Sequence, residues 1–309
     1  MDIDISTILA DVRMKSPIVI TGGVMSDELL FKALDLGVGA ITIGTIALKP
    51  KSRHPPPFIV RLPYGFVNAY GIRRGLDDVK DFIVKILDVA ERNDVKIICS
   101  CIEESLDSLK LIVRELEDLG CHIIELNASA PILKEVLELG LRADVLAKVV
   151  AQVSSTSRKP LSVKLSPLIV DVTSVAKELA RAGMRIAHLI NALSPALVID
   201  VNTGKPILGI KGGIGALSGP AIKPIALAKV MMVAKNNPGL PIIGTGGVTS
   251  WRDAIEMIMV GASAVGLHSV LYIKGVRVIK EILSGIREFM KVRGYRSLEE
   301  FRGLTLKYV

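Results

Sequence analysis

The chain has 309 residues, 50% of them hydrophobic, and a formal net charge of +8. Its basic residues are scattered and only 4% of its residues are aromatic. The sequence therefore lacks the stacking surface that nucleic-acid bases need, and we expect no nucleic-acid partner. An anionic cofactor, an anionic substrate or an acidic partner explains the positive charge equally well.

The N-terminus and the longest uncharged run show no sign of export or membrane insertion. Met1–Asp4 lacks the basic region and apolar core of a signal peptide. Met257–Ile273 carries no charge but contains two glycines, two serines and a histidine. It is therefore predicted as a helix end, a turn and a buried strand. We expect a cytoplasmic protein without a membrane span.

The three cysteines, Cys99, Cys101 and Cys121, are unevenly spaced. Their spacing matches no metal-ligand pattern, and an odd count argues against a disulfide framework. We therefore expect no metal site, no disulfide and a reducing compartment.

Short β-branched runs alternate along the chain with longer amphipathic segments. The short runs predict eight strands, which are Pro17–Thr21, Ala40–Ile46, Val95–Cys101, His122–Asn127, Leu161–Leu165, Ile186–Asn191, Pro241–Gly244 and Ala264–Leu267. The longer segments predict eight helices, which are Asp27–Leu36, Asp77–Arg92, Glu104–Leu119, Leu133–Val153, Ile169–Ala182, Ala221–Lys235, Ser250–Met259 and Gly275–Val292.

Near-continuous apolar strands separated by helices are typical of a parallel sheet that is covered on both faces. Eight such units in succession favour an α/β fold of the (β/α)8 TIM-barrel type, with residues 1–309 as a single domain. Two segments depart from the repeat: Pro50–Gly71 after strand 2 and Ser194–Leu217 after strand 6. We expect both excursions to lie over the C-terminal face of the barrel, where active sites occur.

Two glycine-rich turns lie in the last third of the chain. Gly215–Pro224 precedes an apolar helical segment, and Gly244–Val248 follows a predicted strand. Glycine allows a close approach of the backbone to a ligand, and amide groups at helix N-termini attract phosphate. The turns predict a cofactor that carries a phosphate at the barrel rim.

Polar residues stand where predicted strands end or where an excursion covers them. They are Thr21, Ser100, Asn127, Lys164 and Asn191, together with Asn68 from the first excursion. Asparagine offers both a donor and an acceptor, so three of them suit a planar ligand with amide and carbonyl edges. Lys164 interrupts an apolar strand. It is interpreted as a contact to an anionic ligand, with a core lysine paired to a carboxylate as the alternative.

These residues belong to motifs that resemble the dihydroorotate dehydrogenase family, class 1, and most closely its class 1B FMN catalytic subunit. The matching segments run in the family's order over about residues 15–305. They are Pro55–Pro57, Gly65–Gly71, Glu125–Asn127, Val163–Leu165, Ile190–Ala192, Ile199–Leu208, Gly215–Pro224, Pro241–Gly247 and Gly261–Val265.

The resemblance implies an FMN-dependent oxidation of dihydroorotate to orotate in pyrimidine biosynthesis. It implies that Lys164 lies against the flavin and that Asn68, Asn127 and Asn191 hold the pyrimidine substrate. The remaining implied cofactor contacts are Thr21, Gly22, Ser218, Gly219, Gly246, Gly247, His268 and Ser269. The resemblance also implies a homodimeric core and a partner subunit that carries FAD and an iron–sulfur cluster.

Several positions depart from the family pattern. The motif Asn-x-Ser-Cys-Pro-Asn is Asn127–Ile132 here, so Ala130 replaces the base and Ile132 replaces a substrate asparagine. Gly44 stands where the family has a lysine that touches flavin and substrate, and His268-Ser269 replaces a Gly-Thr/Ser pair near the phosphate. Loss of a positioned general base costs about 10²–10⁴ in rate.

No residue is an obvious replacement for the missing base or the missing lysine. Ser129 is a weak candidate for the base, and Cys101 is better interpreted as a buried apolar residue. Another cation such as Lys49 is a candidate to replace the lysine at position 44, but Lys49 is predicted to lie beyond the strand. His188 is interpreted as a core residue. Three roles are open for His268: it contacts the phosphate, it obstructs the phosphate site, or it packs beneath that site.

Three functions are compatible with this pattern. The first is the dihydroorotate dehydrogenase reaction, for which the ordered motifs and Lys164 argue. The second is an FMN oxidoreductase with a different substrate, which the changes at Gly44, Ala130 and Ile132 would suit. The third is a non-catalytic paralogue.

Overall fold

The computed structural model describes residues 3–23, 26–71, 73–128 and 143–309. Eight parallel strands pair in chain order and the last pairs with the first, which closes a barrel. The strands are β1 Ile18–Ile20, β2 Ala40–Ala47, β3 Lys96–Cys101, β4 Ile123–Leu126, β5 Leu161–Lys164, β6 Ile186–Leu189, β7 Ile242–Thr245 and β8 Ala264–Leu267. The predicted TIM barrel is confirmed, and all eight predicted strands are present.

Helices surround the barrel and bury their apolar faces against it. They are α1 Asp27–Leu34, α2 Leu76–Arg92, α3 Leu106–Asp118, α4 Ala143–Ser154, α5 Val172–Arg181, α6 Lys223–Asn236, α7 Trp251–Met259 and α8 Val278–Arg293. Side chains satisfy otherwise unpaired amides at several N-termini, as where Ser250 accepts a hydrogen bond from the Asp253 amide. The predicted helix Leu133–Val153 lies partly outside the described residues.

The barrel interior is layered because alternate side chains of each strand point inward. The lower layer is largely apolar. It contains Val19, Ala40, Ile98, Ile123, Ile186, Ile243 and Ala264, together with the buried Ser162 of β5, which lies opposite Ile186. An antiparallel hairpin of Thr7–Leu9 and Val12–Met14, which the sequence pattern did not reveal, packs Leu9 and Met14 into this layer.

Two residues further along the strands, the inward side chains are polar. They are Thr21, Thr42, Ser100, Glu125, Lys164, His188 and Thr245, and all of them are buried. The strands therefore place a polar layer directly beneath the C-terminal rim, above the apolar layer that fills the bottom of the barrel.

The two excursions share one antiparallel sheet. Its strands are ordered Leu193–Ala196, Gly215–Ser218, Gly65–Asn68 and Ile59–Leu62. Asn68 lies opposite Ala216, and Ser218 lies opposite Phe66. A short helix, Ser269–Lys274, follows β8 and was also missed, because the last helix was predicted to begin only at Gly275.

The expectation that the cysteines form no disulfide was wrong. Cys99 in β3 is bonded to Cys121, which lies just before β4, and only Cys101 is free. The Cα atoms are 6.0 Å apart, within the range that a disulfide spans. An odd count only requires that one thiol is left over. Cysteine usage therefore gives no support for a reducing compartment.

In the described part of the chain, none of the helices has both the length and the apolarity needed to cross a bilayer.

We expect the disulfide to stabilise the fold because it closes a 22-residue separation in the unfolded chain. Replacing Cys99 and Cys121 together by alanine should lower the free energy of unfolding by about 3 kcal/mol, measured by denaturant titration. Cys101→Ala, which removes an equally buried thiol, is the control. Three reactive thiols rather than one in the denatured, unreduced protein would contradict the assignment.

Candidate active site

A cavity of about 620 Å³ opens at the C-terminal end of the barrel. Twelve residues that were predicted from the sequence as cofactor or substrate contacts line it: Thr21, Gly22, Asn68, Asn127, Lys164, Asn191, Ser218, Gly219, Gly246, Gly247, His268 and Ser269. Ser100 is buried beneath the cavity without lining it. Ser129, the weak candidate for the base, lies outside the described residues.

The two glycine-rich turns lie against each other at one end of the cavity. Gly219, Gly246 and Gly247 have φ values of 98°, 129° and 73°, which favour glycine. A Cβ on Gly247 would approach the Gly219 carbonyl oxygen to 2.9 Å, and one on Gly246 would approach the Ala226 side chain to 2.8 Å. Main chain therefore lines this end of the cavity, as a phosphate cradle requires.

The three predicted asparagines reach the same cavity from three different elements. The Asn127 side-chain amide donates to Thr45 Oγ1 at 3.0 Å, and Asn191 Oδ1 accepts from the Ala192 amide at 2.9 Å. Asn68 ends a strand of the excursion sheet. Thr45, which also lines the cavity, was missed because its position within β2 gives no sequence signal for a site.

Lys164 lies at the floor of the cavity and is only 7% exposed. Among the described residues it has no hydrogen bond or ion pair within contact distance, so the alternative of a directly paired core lysine is not favoured. Burial lowers the pKa of Lys164, while the negative charge of Glu125 on the neighbouring strand acts in the opposite direction. The ammonium group is thus available to an anionic ligand above it.

A chain of hydrogen bonds runs beneath the cavity. His188 Nδ1 lies 2.6 Å from Glu125 Oε2, and His188 Nε2 lies 2.8 Å from Thr245 Oγ1. Both His188 and Glu125 are fully buried. His188 is therefore in the core, as predicted, but as a hydrogen-bonded link between β4, β6 and β7.

The charges in this chain follow from burial and proximity. Burial raises the pKa of Glu125, but its contact with His188 and the positive charge of Lys164 outweigh burial and keep the pKa below its usual value. Burial also lowers the pKa of His188. A charged Glu125 and a neutral His188 agree with both pKa shifts. The imidazole then donates from Nδ1 to the carboxylate and accepts from Thr245 at Nε2, and Lys164 balances the negative charge.

His268 directly follows β8 and lines the cavity. Its imidazole packs so closely against Gly23 that a Cβ there would come within 2.0 Å of Cε1. Burial, together with the nearby charge of Lys164, lowers the pKa of His268 to about 4. Its Nδ1 atom is buried and has no hydrogen-bond partner in the described chain.

Gly44 lines the cavity with a φ of 134°. A Cβ at this position would lie 2.3 Å from the Ser100 carbonyl oxygen, so this backbone cannot accept the lysine of the family pattern. Lys49, the candidate replacement, lines a separate surface cleft. Two arginines that the sequence did not single out, Arg53 and Arg74, line the main cavity instead.

We expect His188→Ala to destabilise the protein because it leaves the Glu125 carboxylate buried without its partner. Loss of one partner of a buried pair lowers the free energy of unfolding by about 3–5 kcal/mol. Thr245→Val, which removes one neutral hydrogen bond, should cost only about 1 kcal/mol. Denaturant titration of both variants without added ligand measures the difference. Equal losses would show that the carboxylate does not depend on His188.

We expect His268 to make stability depend on pH. Its pKa is about 4 in the folded protein against 6.5 for a solvent-exposed histidine, so the unfolded chain binds more protons between these values. The free energy of unfolding should therefore fall as pH drops from 6.5 towards 4, by about 1–3 kcal/mol from this residue. His268→Asn should flatten that slope in denaturant titrations at several pH values. Superimposable slopes would rule out the contribution.

Comparison with known proteins identifies the family of this chain. The family model described as dihydroorotate dehydrogenase matches residues 5–290. A curated relative from Pyrococcus horikoshii, named dihydroorotate dehydrogenase B (NAD(+)), catalytic subunit, is 35% identical over 302 residues, covering 97% of each chain. A relative of the same name from Thermoplasma acidophilum is 32% identical over 309 residues, covering 98% of this chain and 99% of its own. The chain belongs to the dihydroorotate dehydrogenase family.

Proposed function

We propose that this protein is the FMN-binding catalytic subunit of a class 1B dihydroorotate dehydrogenase that oxidises dihydroorotate to orotate in pyrimidine biosynthesis. The observation that carries the proposal is the convergence of Lys164, three asparagines and two glycine-rich turns on one cavity. Relatives that match nearly the whole chain bear the name of this enzyme's catalytic subunit.

The cavity residues fit FMN. The packing around Gly219, Gly246 and Gly247 leaves no room for a Cβ, so main chain lines this end of the cavity, and this suits a phosphate held by backbone amides. His268, whose Nδ1 atom has no hydrogen-bond partner among the described residues, lines the same cavity and would contact the phosphate, as would Ser218 and Ser269. Thr21 and Gly22 would line the ring system.

The cofactor and the protein residues contribute different parts of the chemistry. When bound, the flavin supplies the acceptor for the hydride that leaves the substrate. Lys164 places a positive charge where the reduced cofactor would carry negative charge. Asn68, Asn127 and Asn191 would orient the pyrimidine ring. We assign no residue to removal of the substrate proton, because Ala130 cannot accept it and Ser129 lies outside the described residues.

A different substrate is the second candidate, and Gly44 is the observation that favours it. The backbone at this position leaves no room for a side chain, so the cavity is wider there than the family's lysine would leave it. Together with Ala130 and Ile132 in the sequence, this would suit a larger or less charged heterocycle. A non-catalytic paralogue would instead be colourless and would not bind added FMN.

We also propose that the protein works with a second subunit that carries FAD and an iron–sulfur cluster. The relatives are named catalytic subunits of an enzyme that uses NAD(+). The residues that the structure describes contain no cluster of metal-ligating side chains that would hold iron. We further propose that the chain is a single domain, that two copies form a homodimeric core, and that the protein works in the cytoplasm.

The decisive test is an anaerobic absorption spectrum of the purified protein. We expect bound FMN whose visible absorption bleaches when dihydroorotate is added. Lys164→Gln should remove the cavity-floor cation, weaken FMN binding and slow bleaching by about 10²-fold or more. Lys205→Gln, which changes an exposed lysine, is the control.

Two results would separate the candidate functions, and a third tests the role of Lys164. FMN that is bound but not bleached by dihydroorotate rejects this substrate and favours a different one. A colourless protein that refuses FMN favours the non-catalytic paralogue. If dihydroorotate bleaches the flavin of Lys164→Gln as fast as that of the unaltered protein, the proposed reaction stands but Lys164 has no part in it.

A further inference from the structure

The cavity contains a charge that the family motifs do not account for. Among the described residues that line it, the charged side chains are Asp27, Arg53, Arg74 and Lys164. Arg74 donates two hydrogen bonds to the Asp27 carboxylate, at 2.7 and 3.1 Å, so these two charges cancel. Lys164 lies at the floor, above Glu125, where the flavin would contact it. Arg53 remains.

Arg53 is held in place without its charge being neutralised. Its guanidinium carbon lies 5.3 Å from the centre of the Phe58 ring, and that ring packs on Tyr70 with 5.1 Å between centres. Within the described ranges Arg53 has no ion pair or hydrogen bond. Stacking on an aromatic face leaves the N–H groups at the edge of a guanidinium free to bind a ligand.

The position of Arg53 separates it from the predicted phosphate cradle. Along the strand Gly65–Asn68, Phe66 pairs with Ser218 beside the glycine-rich turn. Asn68 lies two residues further on, a distance of about 7 Å along a strand. The loop that carries Arg53 joins the chain beyond Asn68, because the His54 amide donates to the Tyr70 carbonyl oxygen at 3.0 Å. Arg53 therefore lines the asparagine side of the cavity.

This side of the cavity is where the family pattern has its second cation. The backbone at Gly44 excludes a lysine there, since a Cβ would meet the Ser100 carbonyl oxygen at 2.3 Å. Lys49 faces a different cleft. Among the described lining residues, Arg74 is paired with Asp27 and Lys164 is assigned to the flavin, so Arg53 is the cation left for an anionic pyrimidine next to the asparagines.

We infer that Arg53 binds the carboxylate of the substrate and thereby selects a pyrimidine that carries an acid group. The inference rests on the proposed function, because it takes the asparagine side of the cavity as the substrate side. The planar guanidinium matches a carboxylate with two parallel hydrogen bonds, which a lysine cannot reproduce. The cation comes from the first excursion rather than from a barrel strand.

Titration with orotate, followed by the change in the flavin absorption spectrum, tests this assignment on the FMN-loaded protein. Arg53→Gln should raise the dissociation constant of orotate by about 10- to 100-fold, because a charge-assisted hydrogen bond is lost. Arg53→Lys should recover part of the affinity. Arg61→Gln is the matched control, since Arg61 lies in the same excursion, is exposed and does not line the cavity.

Two further measurements show whether the lost affinity belongs to the carboxylate. Uracil, which has the same ring without the carboxylate, should bind Arg53→Gln and the unaltered protein with equal affinity. The affinity for FMN should also be unchanged, which shows that the variant folds. A loss of FMN affinity instead of orotate affinity would place Arg53 on the cofactor and overturn the inference.

The outcomes distinguish failure of this inference from failure of the proposed function. If dihydroorotate bleaches the flavin and Arg53→Gln binds orotate as tightly as the unaltered protein, the inference alone is wrong. If orotate binds through Arg53 but dihydroorotate does not bleach the flavin, the proposed reaction is wrong and the inference stands. If the unaltered protein does not bind orotate, both are rejected.

Discussion

A buried positive charge on one barrel strand, balanced by a buried negative charge on the next, is the constraint on which the site depends. Lys164 and Glu125 occupy inward positions of neighbouring strands, where an isolated charge would be very costly. One carboxylate oxygen of Glu125 is hydrogen-bonded to His188, and His188 in turn is hydrogen-bonded to the Thr245 hydroxyl. The side chain of Lys164 lines the open cavity.

The strand alternation that creates this polar layer also explains how much of the protein the sequence could predict. The eight strands are short apolar runs with helices between them, so their order and direction follow from the pattern. The carboxyl ends of parallel strands meet at one rim, and this brings Thr21, Asn127, Lys164 and Asn191 together without any knowledge of distances. The glycine-rich turns were predictable because glycine is the residue that a close backbone approach requires.

The features that were missed depend on register or on the path of a loop. The Cys99–Cys121 bond requires the relative positions of β3 and the start of β4, which a cysteine count does not contain. The N-terminal hairpin has strands of three residues, too short for a periodic pattern. Arg53 reaches the cavity only because its loop folds back against Tyr70. The sequence shows that Gly44 departs from the family motif. Only the structure shows why a glycine is needed there, because the Ser100 carbonyl group leaves no room for a side chain.

The shared sheet of the two excursions has an evolutionary consequence. Asn68 and Ser218 belong to different insertions separated by more than a hundred residues of chain, yet they occupy adjacent strands. Because side chains alternate between faces, a shift of one residue in either insertion would turn a row of them away from the mouth of the barrel. Lineages that alter ligand preference by changing insertion length must therefore change both insertions in step, or use point substitutions at fixed length.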